Sequence, residues 1–117
     1  GGGTLQNCQF DFDLNYNNST PTTRASITGR SNILIGTPTE NVADSHTIYI
    51  QNGTAPTASI TDGYKQYSTD ITAGNAAPHF RTENGSVIKL YKQDLPTNPT
   101  NAEIATFLSN LGLANLI

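Results

Sequence analysis

The sequence predicts a mainly β protein, an antiparallel strand meander or sandwich closed by a short C-terminal α-helix and assembled with other copies of itself. Three observations lead there. Residues 46–93 hold four short runs in which apolar and polar residues alternate, separated by Asn52-Gly53, Asp62-Gly63, Ala73-Gly74-Asn75 and Asn84-Gly85. Those pairs accept the positive backbone angles of tight turns. Residues 100–112 carry a helix signature. The chain is also too poor in apolar residues for a large core: about 39% of its 117 residues are apolar when glycine is counted and tyrosine is not, against roughly 45–50% in an ordinary globular domain.

In chain order, Gly1-Gly2-Gly3 opens a lead over residues 1–8 that is read as flexible. From residue 9 to 16, Phe10, Phe12, Leu14 and Tyr16 alternate with Asp11, Asp13 and Asn15, the period of a half-buried strand. Asp11-x-Asp13-x-Asn15 also copies the opening of a calcium loop. Tyr16 and Thr22 stand where that loop needs glycine and glutamate, so the strand reading is preferred. Residues 17–23 form a polar loop with a proline, and residues 24–28 a short strand. Ile33-Leu34-Ile35-Gly36 is a continuous apolar run, which fits a strand buried on both sides.

Thr37 to Asn41 break that run, and the meander follows. Its four strands are read at residues 47–50, 63–67, 77–81 and 87–91. In the first of them Ile48 and Ile50 face one side and Tyr49 the other. Residues 51–61, with Pro56, are too long for a hairpin and run over a surface. Asp94-Leu95-Pro96-Thr97-Asn98-Pro99 is a connector that cannot continue a strand. Thr100 and Glu103 match the capping box of a helix N-terminus. Ile104, Phe107, Leu108 and Leu111 then recur at three- and four-residue intervals, and Gly112 stops the helix. The chain thus divides into a lead (1–8), a β-rich domain (9–93) and a proline connector with a helix (94–117).

A helix this short is marginal alone and must bury its stripe. Its cover is either the sheet of its own chain or the same helix of another copy; with so thin a core and an apolar end beyond it, the stripe Ile104, Phe107, Leu108, Leu111, together with Leu113, is read at least in part as an interface between copies of the chain. The surface is otherwise solvated by hydroxyls and amides: Thr (17), Asn (13) and Ser (8) dominate, while charged residues make up 13%, against about 25% usually.

A net charge of −3 and six scattered basic residues argue against a nucleic-acid partner. No run of apolar residues is long enough for a membrane span, and no basic leader precedes one, so neither a span nor a signal peptide is expected. The lone Cys8 makes no internal disulfide and reads as a small hydrophobe or a free thiol. Sequons at Asn17, Asn18, Asn52 and Asn84 are read as chance in so Asn- and Thr-rich a chain.

No motif for nucleophilic, metal or phosphate chemistry occurs, no cofactor is expected, and the chain is read as no enzyme. Asp11/Asp13 and Asp62/Asp70 read as strand and turn residues, and Arg81 and Glu83, two apart on one strand face, as pairing with a neighbouring strand. His46 and His79 read as structural; a trimer axis is the one route by which either would gather around a metal. Exposed loops at 17–23 and 52–61, with Asn52, Thr54, Tyr64 and Tyr67, are the candidates for surface contact.

Residues 52–93 resemble a block near the C-terminus of phage tail-fibre and related virion appendage proteins. The most specific part is Gly74-Asn75-Ala76-Ala77-Pro78-His79-Phe80-Arg81-Thr82-Glu83-Asn84-Gly85, followed by Val87-Ile88-Lys89-Leu90-Tyr91; the helix and its Leu111-Gly112-Leu113 ending also fit. The likeness extends over residues 32–117 and thins towards the N-terminus. It implies a homotrimeric, β-rich structural protein on the virion surface, with other virion proteins and a host-surface glycan or receptor as partners. It carries over no catalytic residue. A capsid decoration protein is the first alternative. The second is an extracellular filament or adhesin whose strand 9–16 completes the next subunit's sheet.

Overall fold

The computed structural model describes residues 9–14, 22–36 and 43–117. Among them are seven strands, β1 (Gln9–Leu14), β2 (Thr22–Thr28), β3 (Ile33–Ile35), β4 (Ile48–Ile50), β5 (Lys65–Asp70), β6 (Ala76–Arg81) and β7 (Val87–Lys89), and one helix, α1 (Asn101–Asn110). The strands form two sheets, in the orders β1-β2-β3-β4 and β5-β6-β7. The chain divides into two compact units, Gly1–Gln51 and Asn52–Ile117, so the seam falls inside the stretch that the sequence assigned to one β-rich domain, and α1 belongs to the second unit. The predicted lead with Cys8, Tyr16 at the end of the first strand, the loop at 17–21 and the break at 37–41 lie outside the described residues.

In the first unit, β1 and β2 run antiparallel, with Phe10 opposite Ile27 and Phe12 opposite Ala25, and the register shifts between Phe12 and Asp13. A tight loop joins β2 to β3. Ser31 N–H donates to Thr28 O (3.0 Å), Thr28 N–H donates to Asn32 O (3.0 Å), and Ser31 takes a left-handed φ of +63°, as the last residue of a three-residue hairpin loop does. β3 then pairs with β4 in parallel, Ile33 opposite Ile48 and Ile35 opposite Ile50. This corrects the four-strand meander, whose first member joins the other sheet.

Asn32 is the physical reason. Its side chain is 1% exposed. Its Oδ1 accepts from both Thr47 N–H (2.9 Å) and Thr47 Oγ1 (2.9 Å), and its Nδ2 donates to Asp44 O (3.2 Å). Next to it, Ile33 N–H donates to Thr47 O (2.8 Å). The chain is therefore clamped against β3 just before β4 begins. Asn52-Gly53 does not turn a hairpin either: Asn52 makes an isolated parallel bridge to Ser68. The reading of residues 33–36 as buried on both sides is corrected too, since Leu34 is buried while Ile33 and Ile35 stay exposed.

The second unit contains a true antiparallel meander, β5-β6-β7. Its hairpins turn where the sequence placed them, with Gly74 at φ +81° and Gly85 at φ +88°. Pro78 sits in the central strand and sets the length of β7. Leu90 N–H donates to Pro78 O (3.0 Å), but proline has no N–H to return the second bond of that pair. The ladder accordingly ends at Lys89, short of the Tyr91 expected from sequence.

The helix starts as predicted. Glu103 N–H donates to Thr100 Oγ1 (3.1 Å) and Thr100 N–H donates to Glu103 Oε1 (3.0 Å), a complete capping box. It ends in a Schellman motif, with Gly112 N–H on Ser109 O (2.9 Å) and Leu113 N–H on Leu108 O (3.0 Å). That end is tied to β7 and the strand's extension: Lys89 N–H donates to Leu111 O (2.9 Å), Gln93 Nε2 to Phe107 O (3.1 Å), and Asn110 Nδ2 to Gln93 Oε1 (2.9 Å). Among the described residues the buried apolar side chains are few, Leu34, Ala77 and Leu111, beside buried Ser26, Thr28, Asn32 and His79.

Candidate assembly surface

Side chains two apart on a strand share a face, and register partners on neighbouring strands share it as well. In the four-stranded sheet that rule collects Phe10 and Phe12 from β1, Ala25 and Ile27 from β2, Ile33 and Ile35 from β3, and Ile48 and Ile50 from β4. All eight are apolar and none is charged. Phe10 and Phe12 meet edge to face, ring centroids 4.9 Å apart, an arrangement aromatic quadrupoles favour. The opposite face carries the buried Ser26, Thr28 and Leu34. Polar Ser26 and Thr28 are thus buried, with Tyr49 on the same side exposed, while most of the apolar face stays open.

The size of that face gives it meaning. Phe10, Phe12, Ile27, Ile33, Ile35 and Ile48 are each between 40% and 67% exposed, a contiguous apolar patch on the order of several hundred Å². The largest apolar patch on an ordinary monomer is about 300–600 Å² and is often functional. A standard interface buries about 800 Å² per partner. All four strands announce the face in sequence as apolar residues two apart: Phe10-x-Phe12, Ala25-x-Ile27, Ile33-x-Ile35 and Ile48-x-Ile50. Only the register shows that the four pairs lie side by side across the sheet.

The helix stripe is divided. Ile104, Leu108 and Leu113 are exposed, Phe107 is half-buried, and Leu111 is buried within its own chain. Leu111 therefore leaves the interface predicted for it, because the hydrogen bond from Lys89 to its carbonyl draws it onto its own sheet. The surface-contact candidates separate in the same way. Tyr64 stands 64% exposed, its ring 6.1 Å from that of Phe80, and Thr54 is exposed. Tyr67 is half-buried against His79, ring centroids 5.2 Å apart. Asn52 is exposed, but its amide is held: Nδ2 donates to Asp70 Oδ1 (2.6 Å) and Oδ1 accepts from Ser68 Oγ (2.6 Å).

His79 is 3% exposed. Its Nδ1 lies 2.8 Å from Ala77 O, and because a carbonyl only accepts, that nitrogen carries the hydrogen. A ring so buried is a packing residue and cannot face an axis between chains without leaving its sheet. His46 is exposed, with φ +59° and its N–H on Arg30 O (3.1 Å). Asp70 closes a turn, its Oδ2 accepting from Gly74 N–H (3.1 Å). Arg81 and Glu83 do not pair as expected: β6 ends at Arg81, Glu83 sits in the β6–β7 turn, and Arg81 Nε is buried with no partner.

Among the described residues no three His, Cys, Asp or Glu side chains gather to hold a metal ion, and no helix is long and apolar enough to cross a membrane. Comparison of the chain with protein-family models, with curated proteins and with solved structures gives no match in any of the three.

Proposed function

We propose that the chain is a structural protein of a phage particle, a tail-fibre or appendage piece, and that it works by assembling into a homotrimer. One observation carries the reading: the open apolar face of the first sheet. A surface of Phe10, Phe12, Ile27, Ile33, Ile35 and Ile48 is complementary to another copy of itself, having no charge to repel and no polar group to strand. Three sheets turning that face towards a common axis supply the core that each chain lacks. The hydroxyl- and amide-rich composition, the β-rich fold and the likeness of residues 52–93 to virion appendage proteins support the same reading. Exposed Tyr64 and Thr54 are then the positions for contact with a host glycan or another virion protein. A donated-strand filament is less favoured, since residues 9–14 already pair with β2 of their own chain.

Light scattering on a sizing column tests this. The wild-type chain is expected at the mass of three copies, and the double variant Ile27→Ser/Ile48→Ser at the mass of one with its circular dichroism kept. A wild-type monomer would end the reading of a self-assembling fibre piece and favour a decoration protein that assembles only on its particle.

A further inference from the structure

The face of the second sheet that carries His79 also carries three of the chain's six basic residues. Register places Lys65 directly opposite Arg81 across β5–β6, and Lys89 opposite His79 across β6–β7, one diagonal step from Arg81. The other residues of that face are Tyr67, Thr69, Ala77 and Val87, so no carboxylate stands among them. Like charges directly opposite each other in a sheet repel, and here all three cations are half-buried, where screening by water is reduced.

Among the described residues no carboxylate is seen paired with Arg81. Its Nε is buried and without a partner. Glu83, two residues on, lines a separate cleft with Thr82, Asn84, Ser86 and Gly112. Lys65 spends its ammonium on a neutral acceptor, Ala58 O (2.7 Å). The guanidinium lies over Gly85: the point that a Cβ there would occupy is 3.4 Å from Arg81 Nη2 and 3.9 Å from Ser59 Oγ, so both groups border that glycine. A partly desolvated charge left without a counter-charge is costly, and a planar guanidinium with a lysine opposite it in register suits an oxyanion, which guanidinium binds through two parallel hydrogen bonds.

We propose that Arg81 and Lys65, with Lys89 and Ser59 at the margin, bind a small oxyanion, the carboxylate or sulfate group of a ligand. The site lies wholly in the second unit and does not depend on assembly through the first sheet. A monomeric chain that bound the anion would refute the trimer and leave this site standing.

The test is a nitrogen-15 titration of the full chain that follows the Arg81 Nε–H signal. Sodium sulfate and sodium glucuronate are added at constant ionic strength, with sodium chloride and glucose as controls. A saturable shift is expected with sulfate or glucuronate and none with chloride or glucose. Lys65→Gln should weaken binding about tenfold, the loss of one charge-assisted hydrogen bond, and Arg81→Gln should abolish saturable shifts in neighbouring amides. Equal affinity for the two anions would mark a site for the free oxyanion, and tenfold tighter glucuronate one for an acidic sugar. No shift, a linear shift, or unchanged affinity in Lys65→Gln would overturn the proposal. Lys65→Gln alone decides it if Arg81→Gln does not fold.

Discussion

At Gly112 the chain leaves α1 with φ +74°, and a Cβ built there would overlap the carbonyl oxygen of Val87. Two costs combine, the left-handed backbone and a collision with main chain that no rotamer relieves. Gly112→Ala is therefore expected to lose more than about 2 kcal/mol in urea unfolding, where the backbone alone accounts for roughly 1–2. Asn32 makes a second such point. Removing its amide leaves Thr47 N–H and Asp44 C=O without the partner they now have, and a buried group so orphaned costs about 1–3 kcal/mol. Asn32→Ala should lower stability by about 2–3 kcal/mol and speed amide exchange in β4. Thr47→Val keeps the backbone bond and should lose about 1.

At the scale of elements, the helix is the part whose start and stop were most legible, because caps are local chemistry: Thr100, Glu103 and Gly112 act within a turn of themselves. That locality gives a pH prediction. Hydrogen bonds from the Thr100 backbone N–H and then from its hydroxyl hold the Glu103 carboxyl below its usual value of 4.5. A lowered folded value means that the helix gains stability which is complete above the unfolded value and is lost as pH falls through the folded one. Helical circular dichroism should therefore hold down to about pH 5 and decline below it. In Glu103→Gln the cap keeps an acceptor for Thr100 N–H, and this part of the acid dependence should disappear; an identical decline in both proteins would show that Glu103 is not its source.

Strand partners were less legible than strands. The alternation at 9–16, 77–81 and 87–91 predicts extended chain without saying which edge it meets. The parallel joining of β3 to β4 is decided by one buried carboxamide, Asn32, whose role depends on Thr47 and Asp44 meeting it across a connection of residues 36–47. Likewise, Leu111 carries the same apolar signal as Leu108, yet the first is buried and the second exposed. A helical stripe fixes which residues lie together and not what covers them.

For the whole molecule, the proposed assembly through the open face of the first sheet would link stability to association. A chain whose described core holds only Leu34, Ala77 and Leu111 as buried apolar side chains gains most by covering Phe10, Ile27 and Ile48 with other copies, and whatever binds only the folded state raises its stability by mass action. The unfolding temperature should then depend on protein concentration. Dilution of wild-type chain by a factor of one hundred should lower the midpoint by several degrees, as expected when the loss of association free energy is of order 1–3 kcal/mol per chain. Ile27→Ser/Ile48→Ser should melt lower and at one temperature throughout, because a monomer has no partner to lose. A wild-type midpoint unmoved by dilution, with a mass that stays at three chains, would mean an assembly too tight to dissociate in this range. An unmoved midpoint at the mass of one chain would mean that the face is covered by nothing, and that the fold stands on its two small sheets alone.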